Sequence, residues 1–415
     1  MSVPAQGVTI VGAGLAGSLL ALLLARRGLR VTVYERRADP RRGSVDGGRS
    51  INLALAARGI RGLALAGVLD RIMPLAIPMR GRMVHEHDGS AELQPYGVRP
   101  GEVIYSVSRA DLNRALIEAA AELPNVELHF GQLCLGLAHD RPGFELRDEA
   151  TGRIHHSAPQ PGIATDGAGS AVRDALRARE VSTVREEPLD HGYKELTIPP
   201  VGGRPALEVD ALHIWPRGGF MLIALPNRDA TFTATLFLAR EGTNSFAQLD
   251  SPAAVDAFFA REFPSARALM PDLTREFFEH RQGSLGTVYT RGWHLGGEVL
   301  LLGDAAHAIV PFHGQGMNCA FEDCAELVRL MDQHHGWAGL FEAFEHERRP
   351  NTDAIAQMAL ENYREMREAV LDPEYRRRKK EAEEREKRDP NLIPRYSMVM
   401  FHPEIPYAEA LSRRS

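Results

Sequence analysis

The chain has only three cysteines in 415 residues, Cys134, Cys319 and Cys324. The count is odd and no Cys-x-x-Cys pair occurs, so a disulfide framework is not encoded and a reducing, cytoplasmic setting fits. A basic excess is also missing. Lys and Arg total 49 against 55 Asp and Glu, a formal net charge of -6. That balance argues against a general nucleic-acid or polyanion binder, and any anionic ligand must be met by local positive groups. No apolar run reaches the length of a membrane span: Leu19–Leu24 is short and meets Arg26-Arg27. No basic stretch precedes the first apolar segment, which speaks against a signal peptide. Internal repeats and low-complexity tracts are lacking. The pairs His155-His156 and His334-His335 lack surrounding ligands, so no metal site is expected. What remains, 44% hydrophobic and 25% charged residues, is ordinary for a globular enzyme of two or three structural units.

Against this plain background two glycine-rich stretches stand out. The first, Val8-Thr-Ile-Val-Gly12-Ala-Gly14-Leu-Ala-Gly17, follows a β-branched run and precedes a Leu/Ala-rich helix predicted over Ser18–Arg27. Gly12 allows a tight turn, Gly14 lets backbone approach a pyrophosphate, and Gly17 permits close helix–strand contact. The helix N-terminus favours the negative charge. A strand predicted over Leu29–Tyr34 ends at Glu35, about twenty residues on, where an acid takes hydrogen bonds from ribose hydroxyls. The second stretch, Gly303-Asp304-Ala-Ala-His307 running into Gly314-Gln-Gly316-Met317-Asn318, follows the apolar run Val299–Leu302. Asp304 there can accept from ribityl hydroxyls. Backbone donors at a helix beginning near Met317 would face the flavin pyrimidine edge and stabilise charge on it. In this order the two stretches describe the two ends of one bound FAD. No second dinucleotide motif exists, so a nicotinamide donor would visit a shared surface and leave.

The predicted architecture is α/β: a Rossmann-like FAD-binding domain, an inserted antiparallel-sheet substrate domain and a helical C-terminal region. The expected bounds are 1–180 for the first part of the FAD-binding domain, 181–290 for the insert, 291–330 for the return segment and 331–415 for the helical region. Ser108 is expected to cap a helix to Leu123. Leu212–Trp215, Phe220–Leu225 and Phe232–Leu238 read as strands of the insert, and Ser251-Pro252 as a helix start. Tyr375–Asp389 reads as an exposed helix of alternating charge.

Blocks outside the flavin motifs carry a resemblance. Gly12–Gly17, Ser108-Arg109-Ala-Asp-Leu112, Asp166-Gly167 and Gly303–His307 resemble the single-component FAD-dependent aromatic hydroxylases. Gly48–Leu55, Met79–His85, Leu93–Gly97, His191–Glu195, Ala211–Pro216, Met358–Tyr363 and Ile393–Ser397 resemble the kynurenine 3-monooxygenase family within them, over residues 1 to about 407. The resemblance implies reduction of FAD by NADPH, reaction of the reduced flavin with O2 to a C4a-hydroperoxide, and hydroxylation of L-kynurenine to 3-hydroxy-L-kynurenine in tryptophan degradation. It implies cofactor contacts from Leu15, Arg36, Ala54, Arg109, Leu133, Met317 and Asn318, beside Gly12, Gly14, Gly17, Glu35, Asp304 and Gly316. It places the substrate carboxylate on Arg82 with Tyr96, and the amino-acid end against Asn362 and Tyr396. Phe312 and His313 border the ring side. Glu365 and Met366 lie one helical turn from Asn362 and are expected to face the same substrate pocket. An exposed ion-pair role for Glu365 stays open.

These assignments suit the chemistry: a zwitterionic aromatic amino acid calls for a fixed guanidinium and an apolar slot, for which Leu212, Ile223, Leu225 and Phe237 are candidates. The ring amino group donates electron density, so no catalytic base is assigned. His307 reads as structural and His313 as pocket wall. Two departures from the family pattern occur. Pro159 and Pro161 precede Asp166, which compromises a central strand there. The chain also ends at Ser415 without the C-terminal anchor of membrane-bound relatives, implying a soluble protein. The alternatives are another aromatic hydroxylase, a flavin reductase that does not use oxygen, or a flavin-binding protein without enzymatic activity.

Overall fold

The computed structural model describes residues 7–43, 52–99, 101–334, 336–365 and 392–413, with scattered positions between 374 and 389. Most of the charged run Tyr375–Asp389 lies outside the described residues, as do Met366 and the 48–51 part of one family block.

A six-stranded sheet anchors the first layer. Its order is His294–Leu295, Val299–Leu301, Gly162–Ala164, Gly7–Val11, Arg30–Glu35, Val126–Phe130. All pairs are parallel except at the His294 edge. The helix Leu15–Arg26 is apolar on every side, and Leu19, Leu20, Leu22 and Leu24 are fully buried in it. A helix of that composition has to be sandwiched. It contacts the sheet together with the helices Arg109–Ala121 and Gly316–Leu330.

The strand Gly162–Ala164 corrects the expectation that prolines would spoil a central strand. It pairs on both sides, with Gly7–Val11 and Val299–Leu301. Pro161 stands just before it and lacks only an N–H. Its carbonyl still accepts from Thr9 N–H at 2.9 Å, so the ladder loses a donor at its start and nothing further in.

The second layer is a seven-stranded sheet in the order Gly283–Arg291, Thr183–Ile198, Phe232–Ala239, Met221–Pro226, Ala211–Pro216, Gly81–His85, Ala91–Pro95. It is antiparallel except where Gly81–His85 joins Ala211–Pro216 in parallel. Two strands from the early part of the chain thus complete a sheet otherwise made of residues 183–291. One face packs on a separate aromatic core of Trp215, Phe220, Phe232, Phe258, Phe259 and Phe263. The predicted caps form: Ser108 accepts from Asp111 N–H at 3.2 Å and Ser251 from Ala254 N–H at 3.3 Å. No helix among the described residues is long and apolar enough to cross a membrane.

Candidate active site

The three early glycines behave differently, and each for a physical reason. Gly12 has φ +95°, and a Cβ there would meet Thr165 O at 2.6 Å. A Cβ on Gly17 would lie 1.9 Å from Gly12 O, so helix and strand touch through this residue. Around Gly14 no heavy atom lies within 4 Å of a Cβ position. That clearance sits at the N-cap of the Leu15–Arg26 helix, which has no capping side chain. Uncapped N–H groups beside open space suit a pyrophosphate. Leu15 is half-buried at the first helical position. Glu35 is buried and already engaged: its carboxylate accepts from Ala13 N–H at 2.8 Å and from Arg37 Nε at 2.8 Å. Burial opposes its charge, but Arg37 and Ala13 win and hold the carboxyl below its usual range. Arg36 is exposed just beyond. The loop it belongs to is tied to the segment before Leu133, since Gly131 N–H donates to Arg37 O at 3.1 Å.

The distant glycine stretch packs directly against this one. A Cβ on Gly303 would lie 3.6 Å from Ala16 Cβ and 3.3 Å from Ala320 Cβ. Asp304 is exposed in a short 3-10 turn held from behind by Asp323, which accepts from Gly303 N–H at 3.2 Å and from His307 Nε2 at 2.6 Å. His307 is therefore a structural partner. Burial opposes charge on Asp323, yet His307 and Arg348 keep its carboxyl lowered. Asp304 is itself pushed up by its crowded surroundings and pulled back by His307 and Arg109. Arg109, the first residue of its helix, is exposed and close enough to Asp304 to act on its charge.

Asn318 fixes the second glycine stretch. Its Oδ1 accepts from Ala56 N–H at 2.9 Å, and its Nδ2 donates to Ala54 O and Gly314 O, both at 2.8 Å. One buried amide thus ties the Asn52–Leu55 strand to the Gly314 turn. The helix Gly316–Leu330 that follows has no capping side chain, and Met317 is half-buried in its first turn. The open helix ends, the clearance at Gly14 and the outward Asp304 carboxylate fit an extended FAD.

A second cluster forms from segments far apart in the chain. Arg82, on the Gly81–His85 strand, has its guanidinium carbon 5.6 Å from the Tyr96 ring centre and 5.0 Å from that of Tyr396. Among the described residues no carboxylate forms an ion pair with it. Burial disfavours its charge, but Tyr396, Tyr96 and Glu365 raise its pKa. Tyr96 is buried, and by hydrogen-bond geometry its hydroxyl has no partner among the described residues. Tyr396 stacks on Tyr96 at 6.1 Å and on His313 at 5.5 Å. His313 is buried with Nδ1 unpartnered, and burial with Arg82 and Arg395 nearby pushes it down to about 4, so it stays neutral. Asn362 Nδ2 donates to Phe312 O at 2.6 Å. Phe312 stands 5.0 Å from Phe237. Leu212 and Ile223 bridge the neighbouring apolar clusters, with Leu225 in one of them.

Some residues of this cluster escape sequence reasoning. Tyr363 stacks on Phe312 at 4.1 Å, and His191 meets Tyr363 edge-on at 5.5 Å. Tyr363 follows Asn362 directly, and adjacent helix positions are not expected to face one site. Gln315 is another: it accepts from the Tyr407 hydroxyl at 2.8 Å, so the C-terminal helix Tyr407–Ser412 braces the Gly314 turn.

Fold and cleft together define a flavoprotein oxidoreductase that holds FAD. A family model described as FAD binding domain matches residues 6–359. A kynurenine 3-monooxygenase of Stenotrophomonas maltophilia (strain K279a) is 48% identical over 410 residues, 98% of this chain and 90% of that protein. One from Myxococcus xanthus (strain DK1622) is 48% identical, covering 96% and 86%. The chain belongs to the kynurenine 3-monooxygenase family, within the FAD-binding domain family. Solved structures share the fold at low identity. The tetrameric form of 2-methyl-3-hydroxypyridine-5-carboxylic acid oxygenase has a TM-score of 0.72 at 19% identity, covering 89% of this chain and 94% of that one. A p-nitrophenol 4-monooxygenase from Pseudomonas putida DLL-E4 also has a TM-score of 0.72, at 18% identity, covering 99% of each chain.

Proposed function

We propose that the protein hydroxylates L-kynurenine to 3-hydroxy-L-kynurenine with NADPH and O2, in a cytoplasmic setting that suits its three unpaired buried cysteines. The observation that carries the reading is Arg82, a guanidinium enclosed by two tyrosines with no ion-paired carboxylate among the described residues. Glu365 acts on this charge without an ion-pair contact to Arg82, and a substrate carboxylate could pair with the guanidinium bidentately.

The protein's own part is positioning and exclusion of water. Arg82 holds the carboxylate, with the Tyr96 and Tyr396 hydroxyls beside it. Asn362 fixes the Phe312 carbonyl and thereby the wall against which the ring lies. Phe237, Phe312 and Tyr363 form that apolar wall. Neutral His313 adds a flat surface without a charge to repel the substrate's ammonium group. FAD, when bound, supplies the redox and oxygen chemistry. Gly12, Gly14, Leu15 and Gly17 would hold its pyrophosphate, and Glu35, Arg36 and Leu133 its adenosine end. Arg109 and Asp304 would hold the ribityl side, and Ala54, Gly316, Met317 and Asn318 the ring. Glu365 acts on Arg82 through its charge.

The test is product analysis after aerobic incubation of FAD-loaded protein with NADPH and L-kynurenine. Formation of 3-hydroxykynurenine with matching oxygen uptake is expected. NADPH oxidation without oxygen uptake would favour a reductase, and no NADPH oxidation at all a binding protein.

A further inference from the structure

The helix Trp337–Arg364 has a second occupied face. Met358, Ala359 and Asn362 point into the apolar clusters and the aromatic pocket. Asp353, Gln357, Leu360 and Arg364, at spacings of four, three and four, line a separate groove of about 640 Å³ against the strands Thr183–Ile198 and Gly283–Arg291. Leu360 belongs to both, since it also packs on the cluster that contains Phe312 and Tyr363. The groove therefore shares this helix with the aromatic pocket.

Its charges are unevenly matched. Glu187 is engaged by Arg185, and Glu361 by Arg395 at 3.1 Å. Arg291 and Arg364 form no ion pair among the described residues, and both are exposed on the groove wall. The remaining acid, Asp353, is pushed up by burial and pulled back by Arg349 first, then by His307, Arg291 and Arg185. Arg185 lies 4.2 Å over the Tyr289 ring and offers a flat cationic face. Two of the three groove arginines, Arg291 and Arg364, are thus left without an ion-pair contact among the described residues, and such guanidiniums suit a ligand with more than one negative group.

The only dinucleotide motif in the chain belongs to FAD, so a second dinucleotide must find its anion contacts elsewhere. We propose that this groove docks the phosphorylated adenosine end of NADPH, with Arg291 and Arg364 taking its phosphates. Arginine beside the adenosine ribose is the usual means of accepting a 2′-phosphate. The assignment rests on the NADPH-dependent reading above.

The test uses the FAD-loaded full chain and 2′,5′-ADP as probe, titrated by calorimetry. Arg291→Gln with Arg364→Gln is expected to weaken 2′,5′-ADP binding and raise the KM for NADPH, each by roughly tenfold or more, an amount typical of lost charged hydrogen bonds. The KM for kynurenine and the FAD content should not change. Unchanged 2′,5′-ADP affinity in the double variant overturns the groove assignment and leaves kynurenine hydroxylation standing. An equal rise in the kynurenine KM also overturns it, because the groove would then belong to the substrate site. If the wild-type protein forms no hydroxylated product, the functional reading fails, while the titration still judges the groove.

Discussion

The FAD cleft and the aromatic pocket meet at His313 and Gly314, yet they are made of different material. The cleft is mostly backbone: glycine clearances, two uncapped helix ends and one outward carboxylate. The pocket is mostly side chains, with Arg82, Tyr96, Phe237, Phe312, His313, Asn362 and Tyr396 arriving from strands, turns and helices far apart in the chain. A backbone site tolerates little change in chain geometry but asks for few specific groups. A side-chain pocket depends on identity at each position and on the packing that aims it.

The sharpest way to break this contrast lies within the first glycine motif. Gly17→Ala forces a Cβ against the Gly12 carbonyl, and the expected cost exceeds about 3 kcal/mol, seen as a lower melting temperature of the apoprotein and loss of FAD. Gly14→Ala meets no heavy atom of the described residues within 4 Å. It should leave the apoprotein melting temperature nearly unchanged while FAD affinity falls roughly tenfold or more. Equal behaviour of the two variants would refute the division of roles.

On the pocket side, Arg82→Ala should weaken kynurenine binding by on the order of 2 kcal/mol or more with full FAD content retained. Fluorescence titration with kynurenine would reveal it, and wild-type affinity in that variant would remove Arg82 from the site.

Acid should also act on the pocket half first. His85 Nε2 and His213 Nδ1 lie 2.9 Å apart under Trp215, and burial with His213 and Arg217 nearby pushes His85 down to about 4. Its folded value is below its unfolded value of about 6.5, so the unfolded chain binds the extra proton. The stability that His85 contributes therefore falls as pH drops from about 6.5 to 4, by at most roughly 1.4 kcal/mol per unit from this one group, and levels off below; His213 and His313, also held down by burial, add to the slope in the same direction. Urea melts across that range check the slope, and His85→Gln should make it shallower. A slope unchanged in that variant would place the acid sensitivity elsewhere.

The smallest effect is expected from Tyr96→Phe. The hydroxyl is unpartnered in the protein alone, so stability should hold within about 0.5 kcal/mol. Kynurenine affinity should drop by about 1 kcal/mol. A clear loss of stability would show that the hydroxyl serves the fold.

The same contrast explains what could be read in advance. The strand–glycine–helix unit, the Ser108 and Ser251 caps and the strands of the insert follow from local periodicity and cap chemistry, and the structure has them within a few residues. Arg82, Asn362 and Tyr396 stood out only through family likeness, because nothing local marks them. The strand after Pro161 was misjudged, since a proline count does not say which side of the ladder loses a donor.

By itself the sequence determined the nucleotide turn, because glycine's missing side chain acts on its immediate neighbours. Only the tertiary structure decided that Gly303 rests on Ala16, that strands Gly81–His85 and Ala91–Pro95 join a sheet formed a hundred residues later, and that Tyr363 backs Phe312. Those contacts depend on how separate layers pack. No single segment carries the information about which distant partner will fill its exposed face.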